Sequence, residues 1–433
     1  MVQNTVQKEH LYFASMDVTK LAEKYGTPLF IYDVEKIRSN ARAFVDAFQK
    51  ENVKYQVAYA SKAFSSIAML QVAKQEGLSL DVVSQGELYT ALQADFPTDR
   101  IHLHGNNKNI EEIEMAVEHD VGCIVLDNFH EIELLEYVLK KQGKEMNVLL
   151  RVTPGIEAHT HDYILTGQED SKFGFDLANG QADKALAQLL NHDQIHVVGL
   201  HCHIGSQIFE TDGFIMAVQK LFDVIDHWNT EYNYSPSVLN LGGGFGIRYT
   251  DDDEPKPLAA YVEALVAEVK KQTNARKLNM PEIWIEPGRA IVGDTAITVY
   301  KVGSIKEIPG VRTYVAVDGG MTDNIRPALY NAKYEAVVAN RFNEPKSKTV
   351  SIAGKCCESG DMLIWDLQVP ESIQSGDLLA VYSTGAYSYS MASHYNRFPK
   401  AAVVFVENGK DQLVIQRENF ADLVKNDLRY DSL

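Results

Sequence analysis

From about residue 30 to residue 287, short apolar, β-rich runs alternate with amphipathic stretches of helical period, as repeated βα units require. The predicted strands are Lys54–Ala60, Leu80–Val83, Ile101–His104, Cys123–Leu126, Val148–Val152, Val197–His201, Val238–Leu241 and Ile283–Ile285. Between them Ser65–Glu76, Glu111–Glu118, His130–Lys141, Ala182–Leu190, Gly213–Trp228 and Leu258–Gln272 read as helices. Eight such units in roughly 250 residues match the usual size of a closed (β/α)8 barrel. Their unbroken regularity favours closure over an open, doubly wound sheet.

After residue 290 the helical period fades. β-rich runs at Ala296–Ile305, Thr313–Val317, Tyr334–Val338, Thr349–Ile352, Leu378–Val381 and Ala401–Val406 are separated by glycine and proline. They predict a second, all-β domain of sandwich or barrel-like form. The first 29 residues fit no barrel repeat and are assigned to pack with it. The expected division is therefore 30–287 as barrel and 1–29 plus 288–433 as β domain. Only Asn419–Leu428 again looks helical.

Composition narrows the partners. The 433 residues are 45% hydrophobic, enough for a sizeable core, yet no run of 18 apolar residues offers a membrane span. Met1-Val2-Gln3-Asn4-Thr5 lacks the basic and apolar regions of a secretory leader. Four cysteines, two of them adjacent at 356 and 357, do not form a disulfide framework, so a reducing cytoplasm is expected. A net charge of −18 argues against nucleic acid as a partner. The run Asp251-Asp252-Asp253-Glu254 reads as a solvated loop, because it lacks the alternation and the glycine of a calcium loop.

The chemistry gathers where strands end, which is where barrel enzymes keep their catalytic groups. Lys62 follows the first strand, Asp81 lies in the second, His104 closes the third and Arg151 the fifth. His201 and His203 close the sixth, Gly242-Gly243-Gly244 follow the seventh, and Glu286-Pro287-Gly288-Arg289 follow the eighth. A lone lysine at such a place is ordinarily a snorkelling surface residue. Its company changes the picture: an amine, a flat ring, an anion cradle, a carboxylate and a thiol are the parts of a pyridoxal phosphate site. The loops after strands seven and eight commonly bind phosphate, and here they carry the glycine run and Gly288-Arg289. Glu286 is suited to a pyridine nitrogen, His203 to stacking on the ring, and Ser206 to the phosphate. His201 with His203 is a poor pair of joint metal ligands and the chain offers no convincing third, so no metal is assigned.

These residues closely resemble the fold-type III pyridoxal phosphate-dependent decarboxylases over nearly the whole chain. The resemblance runs through Tyr25-Gly26-Thr27-Pro28, Tyr59-Ala60-Ser61-Lys62-Ala63, Asp81-Val82-Val83-Ser84-Gln85-Gly86-Glu87-Leu88 and Ser171-Lys172-Phe173-Gly174. It continues through His203-Ile204-Gly205-Ser206-Gln207, Gly242–Gly246, Glu286–Arg289, Asp323–Tyr330, Cys357-Glu358-Ser359-Gly360-Asp361 and Gly385-Ala386-Tyr387. It implies decarboxylation of meso-2,6-diaminopimelate to L-lysine, with Lys62 holding the coenzyme covalently. His203, Ser206, Gly243, Gly244, Glu286, Gly288, Arg289 and Tyr387 would complete the coenzyme site. Arg289, Arg326 and Tyr330 would hold the substrate carboxylate that does not react, Tyr387 would also contact the substrate, Glu358 would hold the ammonium beside that carboxylate, and Cys357 would be the proton donor. It also implies a homodimer whose two sites are each completed by the Cys-Glu loop of the other subunit.

One departure concerns that loop, where Gly354-Lys355-Cys356-Cys357-Glu358 offers two thiols. Cys357 is assigned because it directly precedes Glu358, and Cys356 is read as structural. A decarboxylase of ornithine, arginine, lysine or carboxynorspermidine is the main alternative, and a racemase on the related barrel another. A diamine product needs an acidic distal residue and no carboxylate clamp, whereas Arg289 and Arg326 with Glu358 offer both an anion and an ammonium holder. A racemase needs two opposed bases, and a one-domain coenzyme carrier would lack the β domain and the thiol-acid loop.

Overall fold

The computed structural model describes residues 9–156 and 171–431, so the leader reading at Met1–Thr5 lies outside the described residues. The chain divides into two compact units. One comprises residues 38–247 and 254–291, the other residues up to 37, 248–253 and those from 292 onward.

The first unit is a closed parallel barrel. Its strands are β1 (Tyr55–Ala60), β2 (Ser79–Val82), β3 (Ile101–Leu103), β4 (Cys123–Leu126), β5 (Met146–Thr153), β6 (Ile195–His201), β7 (Val238–Asn240) and β8 (Glu282–Ile285). Each pairs with the next, β8 returns to β1 with Ile283 opposite Tyr55, and every pairing is parallel. The expected barrel and most expected strand positions are therefore present. Helices Gln85–Gln93 and Val34–Glu51 were not anticipated. The strands can be buried throughout because helices cover the sheet. Four successive βα connections end in a side chain that caps the next helix: Ser66 accepts from Met69 N–H, Ser84 from Glu87, Asn109 from Glu112 and Asn128 from Glu131. These caps fix where each loop stops, and so hold the rim of the barrel on which the candidate residues sit.

The second unit is built on a mixed sheet. Its main order is 362–370, 346–353, 312–317, 296–308, 29–33, 402–407 and 410–415, and Leu378–Val381 also pairs with Ala296–Ile308. Residues 30–37, expected in the barrel, thus belong to this unit: 30–33 lie in a central strand of its sheet and 34–37 open helix Val34–Glu51. Leu29–Asp33 lies antiparallel to Ala296–Ile308 and parallel to Ala402–Glu407. The strands Met362–Pro370 and Lys410–Ile415 lie outside the predicted runs; both are partly exposed, and Lys410–Ile415 opens on three polar side chains. Leu11, Phe13, Val18 and Leu21 are buried with Ile31, Val299 and Val404 in one core, so the described N-terminal residues belong to this sheet. In the acidic run, the Asp253 carboxylate accepts from the N–H groups of Tyr249 and Thr250 at 2.9 and 3.0 Å, which makes it a turn cap.

Candidate active site

Lys62 stands in the single turn Ser61–Ala63 directly after β1, with its side chain exposed at the rim. Its neighbours are fixed tightly. Ser61 Oγ donates to Glu87 Oε2 at 2.8 Å, and the same oxygen accepts from Val83 N–H at 2.8 Å. Gly288 packs onto the end of β1: a Cβ there would lie 3.0 Å from both Ala60 Cβ and Ala60 O. Any side chain at 288 would push the β8 loop away from the lysine turn.

Glu286, just past β8, is engaged on both carboxylate oxygens. Asn240 Nδ2 donates to its Oε1 at 2.6 Å, His104 Nε2 lies 2.8 Å from the same oxygen, and His201 Nε2 is 3.1 Å from Oε2. Asp81 Oδ1 lies 3.8 Å behind His104. All five residues are buried. Burial opposes ionisation of Glu286, but the His104 and His201 imidazoles outweigh it and hold the carboxyl well below its ordinary range. Burial also opposes a charged His104, yet Asp81 and Glu286 on its two sides raise it. His201 is pushed down to about 4 by burial, against the pull of Glu286. Burial raises Asp81 to about 6, partly offset by His104. The result is an ionised glutamate and a neutral His201, with His104 biased toward its charged form. His104, His201 and Glu286 have ligand atoms within 4.8 Å of one another, so His201 groups with these two rather than with His203. The strand ends at His201, so His203 already belongs to the loop.

That loop and the next two form a glycine-lined bay. A Cβ on Gly242 would come within 2.5 Å of Cys202 O, on Gly243 within 2.2 Å of Glu286 O, and on Gly244 within 2.4 Å of Gly205 O. Gly242 and Gly244 also have φ of +67° and +105°, in the region where a side chain is strained. The glycine run is thus required for backbone packing across the ends of β6, β7 and β8, and Gly242 N–H donates to Asn240 Oδ1 at 3.0 Å. Gly243 N–H donates to His203 Nδ1 at 3.4 Å, and Arg289 Nη2 donates to Ser206 Oγ at 3.0 Å. Burial and the nearby Lys62 ammonium push the partly exposed His203 imidazole down to about 3. The bay therefore holds a neutral flat ring, a hydroxyl and a guanidinium.

In the second unit, Arg326 begins the short helix Arg326–Tyr330 and is buried. Its guanidinium lies 4.8 Å from the Tyr249 ring centroid and donates to the Tyr334 hydroxyl. Tyr387 has φ +60° and is close enough to act on Arg326 electrostatically. Tyr330 is exposed. Cys357 and Glu358 are exposed on the loop after strand Lys346–Ala353, whereas Cys356 is buried and its thiol raised to about 11 by burial. Cys357 N–H donates to Asn396 Oδ1 at 2.7 Å.

Of the residues singled out by sequence, Lys62, His203, Ser206, Gly243, Gly244, Glu286, Gly288 and Arg289 lie on the strand-end loops of the barrel. The sequence reading noted Asp81, His104 and His201 as strand-end groups without giving them a role, and it missed Asn240. A polar residue in Val238-Leu239-Asn240-Leu241, just before the glycine run, was the available signal.

The donor set fits a ring cation joined to an anion. Asp81 Oδ1 and His201 Nδ1 are buried without a hydrogen-bond partner among the described residues, beside an ionised glutamate. The arginine, the Ser206 hydroxyl and the glycine-lined loops suit a phosphate. Residues 34–293 match the family model of the pyridoxal-binding domain of pyridoxal-dependent decarboxylases, and the chain belongs to that family. Its coenzyme is pyridoxal phosphate. Within the family the chain is 62% identical to the diaminopimelate decarboxylase of Bacillus subtilis (strain 168), over 98% of this chain and 96% of the relative. It is 45% identical to the diaminopimelate decarboxylase of Staphylococcus aureus (strain COL), over 98% of this chain and 99% of that one. The solved diaminopimelate decarboxylase of M. jannaschii in complex with L-lysine superposes with a TM-score of 0.92 at 34% identity, covering 98% of this chain and 97% of that chain.

Proposed function

We propose that this protein decarboxylates meso-2,6-diaminopimelate to L-lysine and CO2. The observation that carries the reaction class is the buried, ionised Glu286 on the barrel rim that bears Lys62. The substrate follows from relatives up to 62% identical over almost the whole chain and from the paired anion and ammonium holders in the sequence.

The coenzyme, when bound, supplies an electron sink for the pair released as CO2 leaves. Every other part falls to the chain. Lys62, an amine on the rim, would hold the coenzyme covalently. Glu286, ionised and fixed by Asn240, His104 and His201, keeps the ring nitrogen protonated, while neutral His203 is assigned to the ring face. Ser206, Gly243, Gly244, Gly288 and Arg289 take the phosphate, joined by Tyr387. Arg326, with Arg289, Tyr330 and Tyr387, holds the carboxylate at the end that does not react, and Glu358 takes the ammonium beside it. That pairing admits an amino acid at the distal end and disfavours a simple diamine. Cys357 Sγ then gives its proton to the carbon that has lost CO2.

Cys357, Glu358 and Tyr330 are exposed in the single chain, in keeping with a homodimer in which this loop completes the partner subunit's site. All four cysteines are free, which suits the cytoplasm. No described helix is long and apolar enough to cross a membrane. The test is CO2 release by the coenzyme-loaded protein from meso-diaminopimelate, ornithine, arginine and L-lysine in parallel. Release from diaminopimelate alone is expected; release from ornithine with none from diaminopimelate overturns the substrate.

A further inference from the structure

Asp361 is almost fully buried, yet no cation is paired with it by any ion pair among the described residues. Both carboxylate oxygens instead accept backbone N–H groups from two different segments. Oδ2 accepts from Cys356 N–H at 2.8 Å and Oδ1 from Met321 N–H at 2.6 Å. The backbone of Asp361 reinforces the link, its carbonyl accepting from Gly354 N–H at 2.9 Å, while Lys355 N–H donates to Gly319 O at 2.9 Å. Room for the carboxylate is made by two glycines. A Cβ on Gly354 would lie 2.1 Å from Asp361 Oδ2, and one on Gly320 would lie 2.5 Å from Oδ1.

What the two segments carry is the point. Cys356 is joined directly to Cys357 and Glu358. From Met321 the chain runs through a turn closed by Asp323 Oδ2, which accepts from Gly320 N–H at 3.0 Å, and then to Asn324 Oδ1, which accepts from Arg326 N–H at 3.3 Å. One buried carboxylate therefore sets the thiol-acid loop and the start of the arginine helix in a common register.

We propose that Asp361 is a positioning residue for the reaction, fixing Cys357 and Glu358 relative to Arg326. The proposal rests on the roles given to those three residues above. Its physical basis is that each oxygen accepts one N–H, and an amide has only one acceptor atom. Asp361→Asn must turn an NH2 group toward either Met321 or Cys356, releasing one segment while keeping the shape. A displacement of about an ångström in a proton donor costs orders of magnitude in rate. Releasing both segments relative to each other should affect proton delivery and substrate binding together.

The experiment compares coenzyme-loaded wild type, Asp361→Asn, Gly354→Ala and Cys357→Ala. Gly354→Ala displaces the same carboxylate without altering it, so it gives a second route should Asp361→Asn fold poorly. For both, we expect kcat to fall about tenfold or more and KM for diaminopimelate to rise, with the visible absorbance of the coenzyme at Lys62 retained. Iodoacetamide should also modify Cys357 severalfold faster in the coenzyme-free variants than in the coenzyme-free wild type. If the folded variants keep kcat, KM and alkylation rate within twofold of wild type while Cys357→Ala is inactive, Asp361 only stabilises the fold and the inference fails alone. If Cys357→Ala turns over normally, the thiol assignment fails and the inference with it.

Discussion

Replacing Glu286 by glutamine removes one charge from a fully buried cluster and leaves its shape nearly intact. The amide oxygen can still accept from Asn240, now at 2.6 Å, and the amide NH2 can face the neutral His201, at 3.1 Å from Oε2. His104 has no such escape. It loses a carboxylate at 2.8 Å and keeps only Asp81 at 3.8 Å. Breaking a buried pair by removing one partner costs about 3–5 kcal/mol. His104 can lower that cost in the folded state by shedding its proton, which is easy above its ordinary pKa of roughly 6.5 and costly below it. The variant should therefore lose more stability at pH 6 than at pH 8, and melting curves at the two values test this. For the reaction, the same loss falls on the ring nitrogen. A barrier raised by about 3–5 kcal/mol slows turnover by roughly two to three and a half orders of magnitude. CO2 release at saturating diaminopimelate measures it, and retained visible absorbance shows that the coenzyme is still bound. Turnover within about threefold of wild type, with melting unchanged at both pH values, would refute the role of Glu286 as a charged partner.

Two further outcomes follow from other parts of the molecule. Lys62→Ala and Cys357→Ala, each inactive alone, should complement when mixed and allowed to exchange subunits. A mixed dimer owns one site with both lesions and one with none, so up to half of a wild-type dimer's activity returns; no recovery despite proven exchange places the thiol in its own chain's site. The second outcome concerns His102, buried in the barrel with its ring stacked on Trp284 at 4.3 Å and its Nε2 3.1 Å from Gln56 Oε1. Burial pushes its imidazole down to about 3, whereas the unfolded chain takes up the proton near pH 6.5. Its neutral form therefore gives its full support above pH 6.5, and stability declines as the pH falls from there toward 3, by on the order of 4–5 kcal/mol in all. Denaturant midpoints of His102→Gln should fall less steeply than wild type between pH 6.5 and 4, and equal slopes would sink the assignment.

The sequence by itself determined the repeating architecture and most of the candidate residues on its rim. Both are local: a strand shows as a short apolar run, a helix as a 3.6-residue period, and barrel topology places every strand end on one rim. Lys62, Glu286 and Gly288-Arg289 were legible because each directly follows a strand. The tertiary structure alone decided what surrounds them. The partners of Glu286 come from β3, β6 and β7, at separations of 182, 85 and 46 residues for His104, His201 and Asn240. Closure of the barrel, not any local pattern, brings them together. It also decides the charge of each, since burial and neighbours at 2.6–3.8 Å act through space rather than along the chain. Likewise residue 30 reads locally as the start of the alternating series, and only the pairing of Leu29–Asp33 with Ala296–Ile308 and Ala402–Glu407 assigns that segment to the second sheet. Asp361 shows the same limit: an acidic residue after a glycine looks like a surface turn until two distant N–H groups are seen to share its oxygens. Periodicity records which face of an element is buried, but the identity of what it meets there is settled only by folding.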